Sequence, residues 1–397
     1  MYYNEVCGEK ISALGFGMMR LPTTAEGKID RAATQEMVDC AIAGGVNYFD
    51  TAYPYHGGES EDVTSEALRK YPRESYYLAT KYPGHTIQES YDPAEVFEHQ
   101  LEKCGVEYFD FYLLHNVAEG SIATYMDERW GIVDYFIAQR KAGRIKHLGF
   151  STHASVENLE KFLEYCGSEM EFCQIQLNYL DWTLQRGVEM CALLEKWGLP
   201  IWVMEPVRGG KLAKLPDAME EKLRALRPEE SIPAWCFRFL QGVAPVKLIL
   251  SGMSNMEQMK DNLKTFGEKN PLGEAERTTL LAIAEELKAA VPCTACRYCC
   301  DGCPQKIDIP EVISIYNDLK FQATPTIRAN IDAMEHHPST CIDCGQCSAV
   351  CPQGIDIPAV MRDVIVQMNK VRSWVDISRE REAEGKRMRE ESRKNRQ

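Results

Sequence analysis

No stretch of this chain approaches the roughly 20 consecutive apolar residues that a membrane-spanning helix needs, so no span is expected. The opening residues, Met-Tyr-Tyr-Asn-Glu-Val (1–6), lack the basic and apolar regions of a secretory leader. Positive charge is scarce: 45 Lys and Arg stand against 59 Asp and Glu, a net charge of −14. That deficit argues against a nucleic-acid partner. The dinucleotide fingerprint G-x-G-x-x-G is missing, which weakens an open doubly wound sheet as the fold. Without a leader the thiols are expected to stay reduced, placing the chain in the cytoplasm.

Cysteine, by contrast, is plentiful and clustered. Nine of the 16 cysteines fall between 293 and 351. They form two runs of the pattern C-x2-C-x2-C-x3-C-P: Cys293, Cys296, Cys299, Cys303, Pro304 and Cys341, Cys344, Cys347, Cys351, Pro352. The duplication continues past the thiols, with Cys-Pro-Gln-Lys-Ile-Asp-Ile-Pro (303–310) against Cys-Pro-Gln-Gly-Ile-Asp-Ile-Pro (351–358). This is the bacterial ferredoxin spacing for [4Fe-4S] clusters, in which the fourth cysteine of each run ligates the other cluster. By that rule Cys293, Cys296, Cys299 and Cys351 hold one cluster, and Cys341, Cys344, Cys347 and Cys303 hold the other. Structural zinc is the rival reading of paired C-x2-C motifs, disfavoured by the third close cysteine and the proline-flanked fourth. A disulfide framework does not suit a long chain without a leader. Cys300 adjoins a ligand and is not assigned.

Along the chain, residues 1–22 hold two short apolar runs around Cys-Gly-Glu-Lys (7–10) that suggest a hairpin. A beat of short apolar strand and amphipathic helix then repeats. Strands are expected at 13–17, 46–50, 76–80, 109–114, 146–150, 172–177, 200–204 and 246–250. Helices are expected near 31–43, 60–70, 93–104, 131–142, 155–165, 186–197, 230–241 and 255–266. Eight units in this length match a (β/α)8 TIM barrel of about 250 residues. A helix over 274–290 leads to the cysteine region. Pro310 and Pro358 each suit a first helical turn, so the small domain is read as an α-helical, two-cluster ferredoxin-like unit. The expected organisation is a barrel over 1–270, the cluster domain over 271–376 and a charged, frayed tail over 377–397.

Catalytic side chains of such barrels sit at the C-terminal strand ends. Strand two runs into Asp50-Thr-Ala-Tyr-Pro-Tyr55, strand three ends in Thr-Lys81, and strand four ends in Leu-Leu-His115. A carboxylate beside a lysine holds the ammonium charged. That ammonium is expected to lower the pKa of a nearby tyrosine, making it a proton donor or acceptor. A histidine can orient a carbonyl oxygen. The set suits carbonyl reduction or alcohol oxidation. Each residue also has a plainer reading: Asp50 as a helix cap, Lys81 in a salt bridge, His115 as a structural histidine, and Tyr53 as the acid in place of Tyr55.

Several stretches now resemble one family: Gly-Phe-Gly-Met-Met-Arg-Leu-Pro (15–22), Asn-Tyr-Phe-Asp-Thr-Ala (47–52), Tyr55 before Gly-Gly-Glu-Ser-Glu, Thr-Lys81, Asp-Phe-Tyr-Leu-Leu-His115, Gly-Arg-Ile-Lys-His-Leu-Gly-Phe-Ser (143–151), Gln174, and Glu-Pro-Val-Arg-Gly-Gly-Lys-Leu (205–212). Residues 13–266 resemble the aldo-keto reductase superfamily, and the whole chain its branch with a C-terminal 4Fe-4S ferredoxin domain. The resemblance implies Asp50, Tyr55, Lys81 and His115 as a tetrad with Tyr55 as general acid. It implies Ser151 and Gln174 around a nicotinamide carboxamide. The cofactor region departs from the family: Thr152 stands where Asn is usual, and Met204 where an aromatic stacks. No Arg or Lys precedes Lys260 in the loop after strand eight. Phosphate would then rest on Ser251, Gly252 and Asn262 near a helix start, or on Arg208, Gly209 and Lys211. NAD, NADP and flavin all stay open. Clusters pass single electrons and nicotinamide passes a hydride, so a further cofactor, a redox partner protein or a structural role must account for the clusters. Rival readings are an electron-transfer subunit whose barrel only docks a partner, and a flavin-dependent reductase. The expected substrate is a small carbonyl or alcohol.

Overall fold

The computed structural model describes residues 1–84, 92–118, 120–288, 291, 293, 297–321, 323–351, 354–380, 383 and 387. Cys296 and most of the charged tail lie outside the described residues. The chain divides into two compact units, Met1–Leu280 and Leu281–Gln397.

The first unit opens with an antiparallel hairpin of β1 (Tyr3–Val6) and β2 (Glu9–Ser12). Eight strands follow: β3 (Leu14–Gly17), β4 (Tyr48–Asp50), β5 (Tyr77–Tyr82), β6 (Phe109–Val117), β7 (Ile145–Thr152), β8 (Cys173–Gln176), β9 (Ile201–Met204) and β10 (Val246–Ser251). They close into a parallel barrel in sequence order, β10 pairing with β3. The strands are almost wholly buried and therefore read as apolar runs in the sequence.

Local chemistry sets the helices between them. Helix α1 (Arg31–Ala43) starts at Asp30, whose carboxylate accepts the Ala33 N–H at 3.0 Å. Helix α2 (Ser60–Leu68) follows the turn that carries Tyr55. Helix α3 (Pro93–Cys104) starts at Asp92 with proline in its first turn. It ends at Gly105, whose φ of 62° is a left-handed geometry that glycine adopts without a side-chain clash. At the N-terminal ends of the strands, Val6 and Ile11 of the hairpin pack with Tyr48, Phe111, Phe172 and Trp202.

The second unit is helical and internally repeated. The short helices Tyr298–Asp301 and Gln346–Ala349 are followed by Ile309–Phe321 and Ile357–Asn369. The duplicated Ile-Asp-Ile-Pro explains both long helices. Asp308 accepts the Glu311 N–H at 3.3 Å and Asp356 the Ala359 N–H at 3.2 Å, with proline inside each first turn. Val312, Tyr316, Ile331, Met361 and Val364 form its core. Among the described residues no helix is long and apolar enough to cross a membrane.

Candidate functional site

Asp50, Tyr55, Lys81 and His115 meet at the C-terminal mouth of the barrel. Lys81 is fully buried and donates to Asp50 Oδ1 at 2.5 Å and to the Thr51 carbonyl at 2.8 Å. Its ammonium lies 5.0 Å from the Tyr55 ring centroid. The His115 ring stands edge-on to Tyr55, with centroids 5.8 Å apart at 81°. Tyr53 is turned elsewhere, under the Lys103 ammonium and against His99.

The electrostatics differ in one respect from the sequence-based expectation. Burial pushes the Tyr55 phenol above its ordinary value, and the opposing pull of Lys81 does not cancel it. The phenol therefore stays protonated. Burial also disfavours the Lys81 ammonium, but Asp50 and Tyr55 outweigh it and raise Lys81. Burial lifts Asp50 against the pull of Lys81.

Beside the tetrad, Ser151 and Gln174 are neighbours across the β7–β8 pairing. Ser151 Oγ accepts the Asn116 N–H at 2.8 Å. Gln174 Oε1 and Asn116 Oδ1 are buried acceptors with no hydrogen-bond partner among the described residues. Thr152 is engaged: its hydroxyl donates to the Val117 carbonyl at 2.5 Å and accepts the Ala154 N–H at 2.9 Å. Two unfilled acceptors beside a serine hydroxyl suit a primary carboxamide, which brings two N–H donors and one acceptor.

Of the residues read as phosphate-binding, Ser251 and Asn262 are joined by a 2.8 Å hydrogen bond. Gly252 lies against the Arg20 stem, about 3.2 Å from where a Cβ would stand. Arg208 is buried, with its guanidinium 3.4 Å from Asp181 Oδ1. Gly209 (φ 64°) and the exposed Lys211 complete that turn. Partial desolvation of its ammonium, and then Arg208, hold Lys211 below its usual value. Sequence reasoning missed the network behind it: Gln176 and Asn178 donate to Asp181 Oδ2 at 2.8 and 2.6 Å. Their spacing carries no signal until β8 and β9 are aligned.

In the second unit, Cys341, Cys344, Cys347 and Cys303 line one hollow, otherwise walled mainly by Ile307, Ile309, Ile342, Ile357 and Met361. The fourth cysteine of the first run thus joins three of the second. Among the described residues no three His, Cys, Asp or Glu side chains converge as they would around a single ion. Cys299 is buried, and that burial, followed by the neighbouring Cys300 and Cys293, pushes its thiol up to about 12. Cys351 is half-buried.

Comparison with known proteins agrees with the fold. A family model described as "Aldo/keto reductase family" matches residues 13–285, and one described as "4Fe-4S dicluster domain" matches 292–355. The NADH-specific methylglyoxal reductase of Escherichia coli (strain K12) is 22% identical over 305 residues, covering 66% of this chain and 90% of that protein. An aldo-keto reductase from Bacillus halodurans in its holo form superposes with a TM-score of 0.59 at 24% identity, covering 71% of this chain and 96% of that one. An aldo-keto reductase from Klebsiella pneumoniae in complex with NADPH gives 0.58 at 18% identity, covering 72% and 96%.

Proposed function

The chain belongs to the aldo/keto reductase family and carries a 4Fe-4S dicluster domain; from that premise we propose a nicotinamide-linked oxidoreductase that interconverts a small carbonyl and its alcohol. One observation carries the reading: the buried Lys81 ammonium is held by Asp50 and set against the Tyr55 ring, with His115 on its edge. Tyr55, protonated because burial dominates, donates its O–H proton to the carbonyl oxygen as charge builds there. Lys81 stabilises the phenolate that remains, and Asp50 and the Thr51 carbonyl keep the ammonium aimed. His115 orients the carbonyl oxygen. Solvent returns a proton to Tyr55 after release; alcohol oxidation runs the same transfers backwards.

Ser151, Gln174 and Asn116 would hold the nicotinamide carboxamide, which fits their unfilled acceptors. The bound cofactor supplies or receives the hydride. The turn of Arg208, Gly209 and Lys211 would meet the pyrophosphate, and Ser251, Gly252 and Asn262 would border the adenosine end. The lack of Arg or Lys before Lys260 and the NADH specificity in the name of the E. coli relative both favour NADH.

The dicluster region would hold two [4Fe-4S] clusters, one on Cys293, Cys296, Cys299 and Cys351, the other on Cys341, Cys344, Cys347 and Cys303. Each exchanges single electrons, so they serve a redox partner protein in the cytoplasm rather than the carbonyl directly. The test is Tyr55→Phe, assayed anaerobically with methylglyoxal and NADH. Turnover should fall by about 10²–10⁴-fold while NADH binding persists. Undiminished turnover would refute the assignment.

A further inference from the structure

Behind the tetrad lies a polar cluster that the chemistry above does not use. Glu61, in the first turn of α2, is completely buried. Its Oε1 accepts from Thr80 Oγ1 and Gln100 Nε2, each at 2.7 Å, and its Oε2 from Lys103 Nζ at 3.2 Å. Buried carboxylates are retained only when their lone pairs are so filled. The cluster reaches the site through main-chain oxygens. Gln100 Nε2 also donates to the carbonyl of Lys81 itself, at 3.1 Å. Gln100 Oε1 accepts from Tyr112 at 2.5 Å, three residues before His115 on the same strand. Lys103 Nζ donates to the Gly58 carbonyl, in the turn that begins with Tyr55. Next door, Thr51 donates to Ser60 Oγ at 2.9 Å, so the start of α2 also holds the residue after Asp50.

That turn needs a tether. His56 and Gly57 both have positive φ, 53° and 65°, a left-handed geometry costly for a non-glycine residue. The turn's own anchors lie at its start, where the Tyr55 N–H donates to the Ala52 carbonyl at 3.1 Å and the His56 ring accepts the Leu21 N–H at 3.3 Å; its far end, at Gly58, is held from outside. What holds it is an ammonium anchored in a buried carboxylate.

We propose that Glu61 and Lys103 are positioning residues: their ion pair fixes the Tyr55 turn in register with the strand that carries Lys81. The proposal rests on Tyr55 serving as the acid. A shift of about 1 Å in a reacting group can lower turnover by about 100-fold, so a pair that touches no substrate can govern the rate. A purely architectural pair, by contrast, would affect melting temperature alone.

The test uses the full, cluster-loaded chain with its 18 tyrosines replaced by 3-fluorotyrosine. The ¹⁹F line that vanishes in Tyr55→Phe belongs to Tyr55. In Lys103→Met that line should shift or double, and in Lys103→Arg it should return. With methylglyoxal and NADH, kcat of Lys103→Met should fall about 10–100-fold with the NADH Kd unchanged, and Lys103→Arg should recover most of it. Should Lys103→Met fail to fold, Glu61→Gln keeps the neutral contacts and removes the charge; the same displaced line is expected. An unmoved Tyr55 line in the folded variant, with kcat unchanged, overturns the proposal whatever the melting temperature does. If Tyr55→Phe itself retains turnover, the acid assignment fails separately, and the ¹⁹F line still reports whether Lys103 places the turn.

Discussion

Removing Cys303, alone and together with Cys344, decides how the cysteine unit is wired. Cys303 ends the first run, yet it lines the hollow ringed by Cys341, Cys344 and Cys347. If sulfurs that share a hollow share a cluster, Cys303→Ala strips one ligand from the second run's cluster. The first run's three remaining cysteines keep their own partner, Cys351. Among the described residues no carboxylate or imidazole lines the hollow to replace the lost thiolate; their polar side chains there are Gln305 and Gln346. Each cube holds four irons, so the content should drop from about eight to about four per chain. The single variant alone does not tell which cube left. The double variant Cys303→Ala/Cys344→Ala does. With crossed ligation both changes fall on one cube, and about four irons should remain. With ligation run by run each change would empty a different cube, and the iron would approach zero. Anaerobic iron and sulfide analysis reads the count, and electron paramagnetic resonance of the reduced protein should show a coupled pair reduced to one isolated signal. An iron-free double variant that is still folded would refute the crossed arrangement.

Other outcomes follow from the barrel. Gln174→Leu removes a buried acceptor without a partner. It should weaken NADH about tenfold, the worth of one hydrogen bond, yet barely affect the 3-acetylpyridine analogue, which lacks amide N–H groups; fluorescence titration compares them. His56 accepts the Leu21 N–H at 3.3 Å, and burial holds its pKa below the usual 6.5 despite Glu59. The unfolded chain therefore binds more protons, and stability is lost as the pH falls from about 6.5 through the folded-state value. In His56→Gln the drop in melting temperature between neutral and acid pH should be shallower. A Cβ on Gly84 would come within 2.4–2.5 Å of the Tyr125 ring, whose hydroxyl donates to the His115 carbonyl at 2.6 Å. Gly84→Ala should cost about 1–3 kcal/mol, read by thermal unfolding.

Much of the fold was legible because its determinants are local. Arg31–Ala43 and Pro93–Cys104 coincide with the helices read from sequence, since Asp30, Asp92–Pro93 and Gly105 mark their ends. The strands emerge within a few residues because a barrel surrounded by helices leaves them apolar on both faces. The repeated Ile-Asp-Ile-Pro announced two helix starts, and both are present. What sequence withheld depends on packing. The direction of the Tyr55 shift turns on the neighbours that desolvate this half-buried residue, and one nearby ammonium did not reveal that. Glu61, Gln100 and Lys103 look like ordinary polar positions of amphipathic helices. They become a cluster only because α2 packs beside α3 and both lean on β5. Asn116 followed His115 without drawing notice, since an unfilled acceptor has no signature in a string of letters.

The hairpin at the start of the chain has a consequence for stability. By packing Val6 and Ile11 against the aromatic residues at the strands' N-terminal ends, it keeps water from that end of the cluster. Both side chains are buried there, so peeling the hairpin away would return them to solvent at about 1.5–3 kcal/mol each.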